Sequence, residues 1–277
     1  MEEHRPLYSI ITPCYQPGDR LRQTMESILP QTFTDYEVIV KDAGSTDGSV
    51  EALPNDPRIQ LIRSKDQGIY DGMNQAVEKA RGDYLYFLNC GDCLHDAEVL
   101  EKVAERIQSR NFAGKIGEHQ AQPHIYYGDV VELQTGQRVA AKPEMTHFAM
   151  YRNLPCHQAC FYSRDLFETR QFDLQYRVRA DYEHFLWSVV RAGAKAEAMD
   201  LVIADYEGGG FSETAENRKR SAAEHRKITA EYFGAAECTG YRLAMVLSLQ
   251  PLRAKLASSP VTAALYDRLK NRVYHKG

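Results

Sequence analysis

The sequence lacks any long hydrophobic segment and any secretory signal. No apolar run among its 277 residues approaches the roughly 18 needed to span a bilayer. Residues 1–6 do not show the basic and then apolar layout of a signal peptide. Six cysteines in such a chain are typical of reduced thiols rather than of a disulfide framework. We therefore expect a cytoplasmic protein.

The chain also lacks an excess of positive charge. Its 34 basic and 38 acidic residues give a net charge of −4, so we expect no nucleic-acid partner. Residues 241–277 are the exception, because they hold seven basic residues and one acid, a net charge of +6. This segment also contains leucines, which favours peripheral contact with the inner face of a membrane. A helix packed on the domain with a solvated basic face is the open alternative.

Hydrophobic periodicity in the first half alternates between strand and helix. Predicted strands cover residues 8–12, 37–41, 58–63 and 83–88. Helical faces between them include Leu21 and Met25, then Met73 and Ala76, and we predict a further short helix at residues 45–54. This order predicts an α/β fold, a mostly parallel sheet flanked by helices.

The second half has a looser pattern. We predict a hairpin from strands 125–134 and 138–141, a helix at 182–190, a strand at 195–206 and a long polar helix at 212–233. Residues 208–212 include a glycine run that predicts a lid hinge or a plain linker. We thus expect a catalytic domain at 1–211, with a donor half at 1–95 and an acceptor half at 125–211. A C-terminal helical extension would follow at 212–277.

Acidic and amide side chains follow several of the predicted strands. They come after the second, third and fourth strands, at residues 42–47, 65–71 and 89–92, while Pro-Cys-Tyr at residues 13–15 follows the first. Ligands bind at the carboxyl ends of strands in open α/β sheets. The sequence has neither a G-x-G-x-x-G turn nor a P-loop to hold phosphate on backbone amides. Because carboxylates cluster at this edge of the predicted sheet instead, we predict that a diphosphate binds there through Mg²⁺ or Mn²⁺.

Four ordered blocks of the chain resemble glycosyltransferase family 2. They are residues 9–15, 27–32, 36–49 and 68–92, the last ending in Asn89-Cys90-Gly91-Asp92. The resemblance is close over residues 7–95 and looser over 125–215. It implies a GT-A fold, a nucleotide-sugar donor, a divalent metal and inversion at the anomeric carbon. The block at residues 66–74 is similar to a bacterial envelope-polysaccharide branch of the family.

The resemblance also implies roles for individual residues. Asp42 would accept a hydrogen bond from the nucleotide base, with Pro13 and Tyr15 in the same pocket, and Asp92 would bind the metal. The other expected donor-binding residues are Asp71, Asn74, Asn89, Gly91, Asp129 and His157. Asn89 departs from the family pattern, which often has an acid there, and this predicts weaker metal binding. UDP is the favoured nucleotide because of Asp42, while GDP and dTDP stay open.

An inverting transfer needs a base that takes the proton of the acceptor hydroxyl. In this family the base is an acid near the start of a helix, and Asp181 fits that position. Glu183 is the second candidate, and an N-capping aspartate without a catalytic role is the open alternative for Asp181. His157 likewise has a structural histidine as its alternative.

The favoured function is inverting transfer of a sugar to a saccharide or lipid-linked saccharide acceptor in envelope polysaccharide synthesis. A metal-dependent nucleotidyltransferase is one alternative, although residues 13–18 lack the basic, glycine-rich loop that would hold a triphosphate. A GT-A module without activity is another, and Asn89 is the feature that favours it. A zinc site on Cys90, Cys93, Cys156 and Cys160 is disfavoured, because 62 residues separate the two pairs.

Overall fold

The computed structural model describes residues 4–113, 122–208 and 214–247. The strands in these residues join into one sheet. Their bounds are β1 Tyr8–Cys14, β2 Tyr36–Asp42, β3 Ile59–Arg63, β4 Tyr84–Phe87, β5 Cys93–Leu94, β6 His124–Glu132, β7 Gln137–Val139, β8 Cys160–Ser163 and β9 Lys195–Tyr206. The order across the sheet is β3-β2-β1-β4-β8-β6-β9-β5, with β7 beside β6.

Helices cover both faces of this sheet. They are α1 Asp19–Ile28, α2 Ile69–Val77, α3 Val99–Ala113, α4 His147–Arg152, α5 Arg164–Thr169, α6 Ala180–Leu186 and α7 Ala215–Leu247. A 3-10 turn at His157–Ala159 precedes β8, and α6 continues into a π-helical turn at Trp187–Arg191.

The first half of the fold follows the predicted order. Strands β3, β2, β1 and β4 are mutually parallel, and every residue of β1 and β2 is buried. Strands buried along their whole length are typical of the centre of a sheet covered on both faces. The predicted short helix at 45–54 is wrong, because only turns form there. Asp47 instead accepts hydrogen bonds from the Ser49 N–H (3.2 Å) and from the N–H of Gly18, which directly precedes α1 (2.8 Å).

The second half makes the sheet mixed. Strand β8 runs antiparallel to both β4 and β6, whereas β6 is parallel to β9. The parallel arrangement predicted for the sheet thus holds for its first four strands. The predicted β6–β7 hairpin and the strand at 195–206 are both confirmed. The short elements β5, β8, α4 and α5 had no periodic signal long enough to predict them.

The chain divides into two compact units, Met1–Ile228 and Thr229–Gly277. Helix α7 has a non-helical residue at Gly234, where φ is +75°, next to the predicted helix end at 233. The basic tail beyond residue 247 and the glycine-rich residues 209–213 lie outside the described residues. Across the described ranges, none of the helices is long and apolar enough to cross a membrane.

Helix α6 packs against an aromatic cluster on one face of the sheet. The Phe87 ring lies 5.2 Å from Phe167 and 5.3 Å from Phe172, measured between centroids. His184 of α6 stacks on Phe167 at 4.0 Å, and its Nε2 lies 2.8 Å from the carbonyl oxygen of Arg170. Burial lowers the pKa of His184 to about 3. This imidazole therefore stays neutral in the folded protein at neutral pH.

The buried His184 predicts acid-sensitive stability. Since its folded pKa lies below its ordinary value of 6.5, the unfolded chain binds more protons between pH 6.5 and pH 3. The free energy of unfolding should fall by up to about 1.4 kcal/mol per pH unit below roughly pH 6. His184→Gln keeps an N–H donor and removes the titration, so its denaturant-derived unfolding free energy should depend less steeply on pH.

The control is His147→Gln, which changes an exposed histidine. Its unfolding free energy should keep the wild-type pH slope between pH 4.5 and 7. An unchanged slope in His184→Gln would show that His184 does not cause the acid sensitivity.

Candidate active site

The carboxyl ends of β1, β2 and β4 meet at one edge of the sheet. Cys14 pairs with Asp42 in the β1–β2 register, and the Ala43 N–H donates to the Cys14 carbonyl at 3.0 Å. The Cys90 thiol, after β4, donates to the Pro13 carbonyl at 3.6 Å. The segments predicted to form the donor site therefore do come together.

Asp42 is buried and held in one orientation. Its Oδ1 accepts hydrogen bonds from the Ser45 N–H at 2.8 Å and the Ser45 hydroxyl at 2.6 Å. Its Oδ2 lies 3.7 Å from Nε of Arg63. Tyr15, just beyond β1, is 65% exposed. A fixed acceptor at the end of β2, with an exposed aromatic residue directly after the paired end of β1, suits recognition of a planar nucleotide base.

Asp92 is a second buried carboxylate at this edge, with 5% of its surface exposed. Its Oδ1 accepts from the Glu207 N–H at 3.0 Å, and its Oδ2 accepts from Nε2 of Gln158 at 2.7 Å. Burial raises the pKa of Asp92, and these two hydrogen bonds lower it. Sequence reasoning missed both donors, although Gln158 adjoins the predicted His157.

Glu207 follows β9 and extends over the turn before Asp92. A Cβ on Gly91 would lie 2.5 Å from Oε2 of Glu207 and 3.2 Å from Cδ of Arg20. Gly91 also has a φ of +99°, a backbone conformation that residues other than glycine rarely adopt. Glycine is thus favoured here by the backbone, whereas the flexible side chains of Glu207 and Arg20 could move to admit a Cβ.

The oxygen atoms near Asp92 fit a hard divalent cation. Each Asp92 oxygen accepts one hydrogen bond in the structure and so retains a lone pair. The Asn89 Oδ1 is buried and has no hydrogen-bond partner among the described residues. Together with the Glu207 carboxylate, these are the ligand types that Mg²⁺ and Mn²⁺ prefer. In the described ranges, no group of three or more His, Cys, Asp or Glu side chains could hold an ion.

Asp181 lies in the first turn of α6 and contacts Tyr70 of α2. The Tyr70 hydroxyl is 2.8 Å from Oδ1 of Asp181 and 3.0 Å from the carbonyl oxygen of Val178. Burial and the Asp181 charge raise the pKa of Tyr70 well above 10, so Tyr70 stays a hydrogen-bond donor. Glu183 is 1% exposed and forms an ion pair with Arg170 at 2.9 Å. Of the two candidate bases, the accessible one is Asp181.

His157 occupies the space between the aromatic cluster and the site. Its ring stacks on Phe87 at 5.1 Å, and both ring nitrogens are buried without a hydrogen-bond partner in the described part of the chain. Burial lowers the pKa of His157, while the charge of Asp181 raises it. A neutral imidazole with two unused polar atoms is suited to hydrogen-bond a ligand hydroxyl.

The family model described as Glycosyl transferase family 2 matches residues 9–170. The chain belongs to this family. The predicted family is thereby confirmed, and this protein is a glycosyltransferase.

A relative supports this assignment. The PGL/p-HBAD biosynthesis glycosyltransferase of Mycobacterium bovis is 36% identical to this glycosyltransferase over 216 residues. The match spans 76% of this chain and 80% of the relative.

Solved structures with similar folds include two glycosyltransferases. S. aureus TarS 1–349 in complex with UDP-GlcNAc has a TM-score of 0.61 and 18% identity, covering 90% of this chain and 79% of TarS. Mannosyltransferase PcManGT from Pyrobaculum calidifontis, in complex with GDP-Man and Mn²⁺, has a TM-score of 0.58 and 14% identity. It covers 99% of this chain and 89% of its own. The GT-A fold predicted from the sequence is confirmed.

Three residues predicted to bind donor in this glycosyltransferase make contacts with the protein itself. Asn74 donates to the Phe172 carbonyl at 2.9 Å and accepts from the Phe172 N–H at 3.0 Å. Asp71 accepts from the Gln67 N–H at the start of α2. Asp129 is 2.5 Å from Nε of Arg138 in the β6–β7 hairpin and accepts from the Ala141 N–H. Donor binding by these three residues stays a prediction. Each also makes a contact within the protein that gives it a structural role.

The contacts of Asn74 predict a loss of stability on substitution. Asn74→Ala leaves the buried N–H and carbonyl of Phe172 unpaired, which should lower the unfolding free energy by about 2–4 kcal/mol. Asn74→Asp keeps the acceptor for the Phe172 N–H but sets a carboxylate oxygen against the Phe172 carbonyl oxygen, so it should also destabilise the protein. Affinity for UDP, measured by calorimetry, should stay within about twofold for a fold-supporting residue.

Glu78→Ala is the control for Asn74, because Glu78 is an exposed residue that directly follows α2. Its unfolding free energy should match the wild type. Loss of UDP binding by Asn74→Ala at unchanged stability would instead support the donor-binding role.

Proposed function

We propose that this glycosyltransferase transfers a sugar, with inversion, from a UDP-sugar to a saccharide or lipid-linked saccharide acceptor in cell-envelope synthesis. The observation that carries the proposal is that contacts link Asp92 and Asp181 to two neighbouring residues, His157 and Gln158. Gln158 donates to Asp92 at 2.7 Å. The His157 ring lies 5.9 Å from that of Phe172, whose ring is 5.3 Å from that of Tyr70, the hydrogen-bond partner of Asp181. One carboxylate thus lies beside a cation-compatible oxygen cluster and the other beside Tyr70.

This arrangement assigns separate tasks to the two carboxylates. Asp92, with Asn89 and Glu207, would hold Mn²⁺ or Mg²⁺, which when bound offsets negative charge on a departing diphosphate. Asp42 would accept a hydrogen bond from the nucleotide base. Asp181 would take the proton of the acceptor hydroxyl as that oxygen attacks the anomeric carbon. Tyr70 would hold the Asp181 carboxylate in the orientation needed for this transfer.

The relatives support the class of substrate. TarS is seen with UDP-GlcNAc, which supports a uridine donor, and PcManGT with GDP-Man and Mn²⁺ keeps guanosine as the alternative. The M. bovis relative is named for PGL/p-HBAD biosynthesis, which supports a role in building a glycoconjugate. Peripheral membrane contact through the basic residues 241–277 would bring the enzyme to a lipid-linked acceptor.

Substitution of Asp181 tests the base. Asp181→Asn keeps the shape and removes the proton acceptor, so transfer should fall by about 10²–10⁴-fold. UDP affinity should change by less than about threefold, because the base contacts the acceptor rather than the nucleotide. Tyr70→Phe should reduce kcat by a smaller factor. Asp200→Asn, at an exposed aspartate, should leave turnover unchanged. Normal turnover by Asp181→Asn would rule out this residue as the base.

Nucleotide-dependent thermal stabilisation tests the donor site. UDP, GDP, CDP and dTDP are compared, each with Mn²⁺ and with EDTA, because a ligand that binds the folded state raises Tm. UDP with Mn²⁺ should give the largest rise, and Asp92→Asn should remove the part that depends on Mn²⁺. A rise of equal size in EDTA would contradict the metal-dependent site. No rise with any nucleotide would favour a module without activity.

A further inference from the structure

Glu224 of helix α7 binds a turn that directly precedes α6. Its carboxylate accepts hydrogen bonds from three consecutive backbone N–H groups. These belong to Arg177 at 3.0 Å, Val178 at 3.0 Å and Arg179 at 2.9 Å. Successive N–H groups that converge in this way form an anion-binding concavity. Here the anion is a side chain of the same chain.

The bound turn leads directly to Asp181. Arg179 caps the start of α6, and its carbonyl accepts from the Glu183 N–H at 3.0 Å. Asp181 lies two residues after Arg179, in the first helical turn. The Val178 carbonyl, on the other side of the same turn, lies 3.0 Å from the Tyr70 hydroxyl that also contacts Asp181. The turn is thus held by Glu224 through its N–H groups, and its Val178 carbonyl lies beside the Tyr70 hydroxyl, whose single proton is shared between that carbonyl and Asp181.

A second contact joins the same two segments. Nε of Arg179 donates to the Ser221 hydroxyl at 2.8 Å, and Ser221 lies one helical turn before Glu224. Both residues of α7 fall in the unit Met1–Ile228, whereas the family match ends at residue 170. The start of α7 therefore packs against the turn that carries the proposed base.

We propose that Glu224 is a positioning residue for Asp181. It fixes the turn at residues 177–179 and so sets the distance between the Asp181 carboxylate and an acceptor hydroxyl. This inference rests on the proposed function, in which Asp181 is the base. It also makes residues 215–228 part of the catalytic unit, rather than of a separate extension that begins at 212.

The test separates placement of the base from general support of the fold. Glu224→Ala removes all three acceptor contacts, and a displacement of about 1 Å can cost about 10²-fold in rate. We expect kcat to fall about 10–100-fold while the donor KM and the UDP Kd stay within about twofold. Glu224→Gln retains an amide oxygen that can accept from the N–H groups, so its kcat should be intermediate. The matched control is Glu216→Ala, which changes an exposed glutamate eight residues earlier on α7 and should keep wild-type kcat.

A double-mutant cycle with Tyr70→Phe adds a readout that a merely structural role would not give. If both residues act through the placement of Asp181, the loss in Tyr70→Phe/Glu224→Ala should be smaller than the product of the single losses. Additive losses, an unchanged kcat in Glu224→Ala, or a parallel loss of UDP binding in the folded Glu224→Gln protein would each overturn the inference.

The failure of the base assignment is recognised separately. Asp181→Asn with normal turnover contradicts the proposed base, whatever the Glu224 variants do. Inactive Asp181→Asn with fully active Glu224→Ala leaves the proposed base in place and contradicts only the role of Glu224.

Discussion

The buried carboxylate of Asp92 is the constraint on which the site depends. A charge removed from water must be hydrogen-bonded or it is strongly destabilising. Its two donors, Gln158 and the Glu207 N–H, are 66 and 115 residues away in the chain. The carboxylate can therefore be accommodated only when the second half of the chain closes onto the first. The candidate site is a product of the whole sheet rather than of one motif.

The mixed second half of the sheet supplies that closure. Strand β8 pairs antiparallel with β4, which places the preceding turn, and hence Gln158, beside Asp92. Strand β5 pairs with β9, with Cys93 opposite Asp205, and this aligns Glu207 with the same carboxylate. Because β8 is antiparallel to β4, it begins near the edge where β4 ends. Gln158, which precedes β8, therefore lies at that edge. The departure from a parallel sheet thus has a direct role in forming the site.

Local sequence patterns predicted those features of the structure that depend on interactions between neighbouring residues. The buried runs of β1 and β2 and the face of α1 are visible as periodicity, and Asp42 and Asp92 follow from strand ends and the family motif. Contacts across long separations carry no such signal. Tyr70 meets Asp181 over 111 residues, and Glu224 reaches Arg179 over 45. Asn74 shows the same limit, since a motif position gives no sign that its amide is used by Phe172.

Asp92 and Asp181, the two carboxylates proposed to act in the reaction, are held by different parts of the chain. The family match contains Asp42 and Asp92 but ends at residue 170, before Asp181. Asp181 is held by Tyr70 from the matched region and, through the turn at 177–179, by Glu224 from outside it. Nucleotide binding and acceptor deprotonation would therefore respond to different substitutions. Changes at Glu224 should alter kcat for acceptors while the affinity for the nucleotide is retained, because no contact of Asp42 or Asp92 described above involves that residue.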